Sequence, residues 1–69
     1  MNILDVMKDM TPHELAGACT YERASIKNMF AEELCRRAGL LHRYQQARTD
    51  IEVRSVLDRA AKSFGIRLI

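Results

Sequence analysis

The chain has 69 residues, 48% of them hydrophobic and 29% charged, with a formal net charge of +2 at pH 7. That apolar content excludes a disordered tail, and no run approaches the roughly 20 apolar residues a membrane-spanning helix needs. A domain of this size buries only about 60% of the surface its unfolded chain exposes, which disfavours a catalytic cleft and favours stabilisation by a partner.

Taken in chain order, the residues predict one all-α domain over positions 1–69, built from four or five short helices. Ile3, Leu4, Val6, Met7 and Met10 recur at helical spacing and predict a short amphipathic helix. Thr11-Pro12-His13-Glu14 then reads as a second start, with Thr11 as N-cap, Pro12 at the first helical position and Glu14 placed to close a capping box. That helix is expected to stop near Thr20. Residues 21–38 hold no helix breaker and predict a long helix with Ile26, Met29, Phe30, Leu34 and Cys35 along one stripe, closed by Gly39. Residues 40–48 predict a short helix or helical turn with Leu40, Leu41, Tyr44 and Ala47 inward. Thr49-Asp50-Ile51-Glu52 repeats the capping-box spacing and opens a second long helix over residues 50–64, in which Val53, Val56, Leu57, Ala60, Ala61 and Phe64 form the cleanest stripe in the chain. Gly65 ends it. The tail Ile66, Leu68 and Ile69 is too apolar to stay in water, and it either closes the core of the monomer or forms an oligomer contact in a homodimer.

Charge is unevenly distributed. Residues 1–35 carry three cationic and six acidic side chains, and residues 36–69 carry eight and three. Arg36, Arg37, Arg43 and Arg48 would form a basic patch if the turn at Gly39 brings them together, suited to nucleic acid or to an acidic protein surface. Cys19 and Cys35 fall among apolar neighbours and read as core thiols. With His13 and His42 they give the order His-x5-Cys-x15-Cys-x6-His, which lacks the close ligand pairs of a structural zinc site. No metal, cofactor or small-molecule substrate is expected. The charged start MNILDVMKDM lacks the apolar stretch of a signal peptide, so the expected location is cytoplasmic.

Nothing forms a catalytic constellation. Gly17, Gly39 and Gly65 stand alone, Ser25, Ser55 and Ser63 lack a nucleophile motif, and the adjacent Glu32 and Glu33 diverge on a helix. The chain is therefore read as non-enzymatic.

The segment ELAGACTYERASIKNMFA, residues 14–31, resembles the helix-turn-helix of bacterial and phage DNA-binding proteins. In that family a small residue at the place of Ala16 lets two helices cross closely, and apolar residues at the places of Leu15, Cys19, Ile26 and Met29 hold their angle. The resemblance, extending over residues 12–31, implies that Arg23, Ser25, Lys27 and Asn28 contact DNA from a recognition helix: Arg23 and Lys27 on guanine or phosphate, Asn28 on adenine, Ser25 on the backbone. Two functions are carried forward, a small helix-turn-helix DNA-binding regulator and a protein-interaction module that docks on a larger protein.

Overall fold

The structure, a computed structural model, describes residues 3–19 and 27–68. Five helices follow one another: α1 (Ile3–Lys8), α2 (Pro12–Ala18), α3 (Met29–Arg37), α4 (Leu41–Gln46) and α5 (Asp50–Ser63), with no strand among the described residues. The all-helical expectation holds.

Local chemistry sets most of the boundaries. The amide of Glu14 donates to Oγ1 of Thr11 at 3.2 Å, and the amide of Thr11 donates back to Oε1 of Glu14 at 3.0 Å, so the capping box at α2 is complete. Accepting that amide, together with the Thr11 hydroxyl nearby, holds the Glu14 carboxyl below its ordinary pKa. At α5 only half of the box forms. Glu52 donates its amide to Oγ1 of Thr49 at 3.2 Å, while its carboxylate accepts the Thr49 hydroxyl instead of a backbone N–H.

The helix expected over residues 21–38 is observed as Met29–Arg37. Residues 20–26 lie outside the described residues, and Lys27 and Asn28 precede the helix. The start at Met29 has a specific cause. Asn28 is extended, with φ −150° and ψ 170°, and its Oδ1 accepts the amide of Ala31 at 2.9 Å, which is an N-cap.

Gly39 and Gly65 have φ of +76° and +73°, in the left-handed region that glycine enters without a side-chain penalty. Each closes its helix with the paired hydrogen bonds of a Schellman motif. Leu40 donates to the Cys35 carbonyl and Gly39 to that of Arg36, and likewise Ile66 donates to Ala61 and Gly65 to Lys62.

The helix α3 is central, packing against α2, α4 and α5. Leu15, Leu34 and Leu57 supply the largest fully buried side chains, and Ala16, Ala31, Ala60 and Ala61 are buried with them. Small side chains at these places let helix axes approach closely. Leu68 is buried in the same cluster and Ile66 packs against it, so these tail residues close the chain's own core. Ile69 lies outside the described residues.

Candidate interaction surface

Two of the four arginines expected in a basic patch are consumed by the fold. Glu33 is only 8% exposed, and it accepts two hydrogen bonds from Arg36, at 2.8 and 2.6 Å, and one from Nε of Arg37 at 2.7 Å. The Arg37 guanidinium continues past Glu33 to the end of α1, where it donates to the carbonyls of Met7, Lys8 and Met10. The Met7 carbonyl also accepts the Met10 amide at 3.1 Å, while those of Lys8 and Met10 lie at and beyond the helix end, so Arg37 acts as a side-chain cap supplied from another helix. The Arg36 hydrogen bond, with Arg37 behind it, holds the Glu33 carboxyl down at about 2 despite its burial.

Of the residues assigned to DNA contact by the helix-turn-helix resemblance, Lys27 and Asn28 precede α3 rather than lying within a helix. Asn28 caps α3, its amide donates to Oη of Tyr44 at 3.0 Å, and its carbonyl accepts the Tyr44 hydroxyl at 3.4 Å. Tyr44 is buried, which raises its phenol pKa. Lys27 donates to the carbonyl of Gln45 at 3.2 Å, with its ammonium 5.5 Å from the centroid of the Tyr44 ring. These contacts fasten the entry of α3 to α4. Arg23 and Ser25 lie outside the described residues.

The two cysteines are fully buried and unbridged. Burial pushes the Cys19 thiol up to about 11 and the Cys35 thiol up to about 12, the latter also through its proximity to Cys19. Both remain protonated at neutral pH and pack as small apolar groups. Among the described residues no cluster of His, Cys, Asp and Glu is arranged to hold a metal ion, and no helix is long and apolar enough to cross a membrane.

Among the described residues, large apolar side chains are exposed on α1, α3 and α5, at Val6, Met29 and Ile51. Ile51 is 82% exposed, the largest exposure among the exposed large apolar residues. Ile51, Ser55 and Arg59, four residues apart, form a ridge on α5. On one side a shallow hollow runs to α4, with Arg43 and Arg59 on it and Ala47 and Val56 as apolar parts of its lining. On the other side a second hollow includes Arg54, Asp58 and Lys62. The expected patch is thus divided. Arg36 and Arg37 belong to the Glu33 clamp, Arg43 is joined by Arg59, and Arg48 is exposed in the α4–α5 connection.

Ile51 escaped the sequence reading as a site residue. The signal was present, because the stripe that begins at Val53 leaves Ile51 about 200° away on an ideal helix, facing outward. Comparison of the chain with protein-family models, curated proteins and solved structures finds no match.

Proposed function

We propose that the chain is a non-catalytic regulatory binding protein that docks on a larger protein through the outward face of α4 and α5. The observation that carries this reading is the exposed Ile51 standing on a ridge between two hollows edged by Arg43, Arg54, Arg59 and Lys62. An isolated exposed aliphatic side chain is ordinary on a protein surface. Here it adjoins the partly exposed Val56, and arginine is a residue type enriched at interfaces. DNA binding through residues 12–31 draws less support, since Lys27 and Asn28 are engaged in fastening α3 to α4.

A photo-reactive residue placed at Ile51, and separately at the exposed His13 on α2, tests the reading in extracts of cells that make the protein. Crosslinking to a discrete protein from position 51 and not from position 13 is expected. Salt-sensitive binding to a mixed pool of DNA fragments that disappears in a variant carrying Arg23→Ala and Lys27→Ala would overturn it in favour of the helix-turn-helix.

A further inference from the structure

We infer that the α4–α5 face receives an acidic segment of the partner, which sets an aliphatic side chain beside Ile51 and its carboxylates between Arg43 and Arg59. This inference rests on the docking reading above and names the chemistry of the partner. Its basis is the difference between cations that the fold satisfies and cations that it does not. Among the described residues the ion pairs are Arg36 and Arg37 with Glu33, and Arg54 with Asp58, so Arg43, Arg59 and Lys62 pair with no carboxylate among those residues.

The two carboxylates lining the hollows, Glu52 and Asp58, offset only part of the charge of Arg43, Arg54, Arg59 and Lys62. Glu52 is held by the Thr49 hydroxyl in the cap of α5. Asp58 stands 3.6 Å from Nε of Arg54, too far for a hydrogen bond, and that buried nitrogen has no hydrogen-bond partner. The face therefore presents cations in excess around an aliphatic centre. A basic partner is repelled by it. A nucleic-acid backbone would meet the cations but set polar phosphates and sugars against Ile51 and Val56, whereas an acidic peptide with an aliphatic side chain matches both features. A second copy of the chain offers a poorer match, because the half-exposed Val6 on α1 lies among Asp5, Asp9 and the opposing charge of Lys8.

The test uses the full isotope-labelled chain and a synthetic helical peptide carrying leucine and glutamate on one face. One control peptide has glutamine for glutamate, and another has serine for leucine. Amide resonances of Arg43, Ile51, Val56 and Arg59 are expected to shift with the first peptide, and each control should bind at least tenfold more weakly. A variant with Arg43→Glu and Arg59→Glu should lose affinity at least tenfold, while Lys8→Glu with Arg67→Glu, the same change in net charge away from the hollow, should retain it. If the double variant does not fold, Ile51→Ser and the peptide controls on the unaltered chain decide the matter.

Equal binding of the glutamine peptide, or equal losses in both charge variants, would overturn the inference. Shifts confined to the surface around Lys27 and Met29 would overturn this inference and the α4–α5 docking face together, whereas equal binding of the glutamine peptide at the α4–α5 amides overturns the inference alone. Binding of duplex DNA at the α4–α5 amides with none of the peptides bound would overturn both. A dimer in sedimentation of the free chain, abolished by Ile51→Ser, would make a second copy the occupant and overturn the assignment to an acidic partner.

Discussion

Replacing Arg37 with methionine tests the clamp that ties α1 to α3. The substitution keeps an unbranched side chain and removes every donor, which leaves the carbonyls of Lys8 and Met10 without their cap, that of Met7 with the Met10 amide alone, and Glu33 with Arg36 alone. The Arg37 side chain is 21% exposed, so solvent screens the pair only in part, whereas Arg36, at 58%, is too exposed to compensate fully. Hydrogen bonds to a charged group contribute about 1.5–3 kcal/mol each, but α1 can turn its freed carbonyls to water, so the net loss is set at about 3 kcal/mol. For a domain of 69 residues that is a large share of the whole stability, and it lowers Tm by roughly 15 °C. Thermal unfolding followed by circular dichroism gives the size of the loss, and amide hydrogen exchange gives its location. Protection in α1 should fall first, while α3 and α5 retain theirs until global unfolding. Arg37→Lys keeps the charge but not the fork, and it should recover less than half of the loss. A Tm for Arg37→Met within about 2 °C of the parent, with α1 protection unchanged, would refute the reasoning.

Three other outcomes follow from the same geometry. Glu33 is held at about 2 in the folded chain against an ordinary value of 4.5, so its contribution is complete above pH 5 and is lost as pH falls toward 2. The stability difference between the parent and Glu33→Gln should shrink by about 2 kcal/mol between pH 6 and pH 3 in urea titrations, and a constant difference would contradict the clamp. Asn28→Ala removes the cap of α3 and should cost about 1 kcal/mol in the same titrations, with no loss if the cap is inconsequential. Cys19 and Cys35, buried and shifted to about 11 and about 12, should resist a thiol reagent at pH 8 in the native chain and react in urea; rapid native labelling would show that the core opens readily.

Features written into neighbouring residues were legible in the sequence. Thr11, Pro12 and Glu14 identify the start of α2 because the box closes within four residues, and the stripe from Val53 to Phe64 predicts α5 to within one residue of its observed end. The start of α3 was not legible, because Asn28 acts as a cap in concert with Tyr44, which is sixteen residues away. An uninterrupted run of helix formers could not reveal that tertiary hydrogen bond. The arginines illustrate the same limit. Arg36 chelates Glu33 three residues earlier on its own helix, a spacing present in the sequence, whereas Arg43 has no carboxylate partner among the described residues and meets Arg59 only when α4 folds beside α5.

The stops at Gly39 and Gly65 bear on the order in which the chain organises. Both reversals are closed by hydrogen bonds between residues three and five apart, and in both the next residue, Leu40 or Ile66, packs against the core. Direction and burial are therefore coupled at each turn, and little loop entropy is lost in making them. Such hairpin-like corners belong to the class of contacts that forms early in folding. Alanine at either position meets no steric neighbour but must adopt a left-handed backbone, so it would slow folding without disturbing any packed side chain.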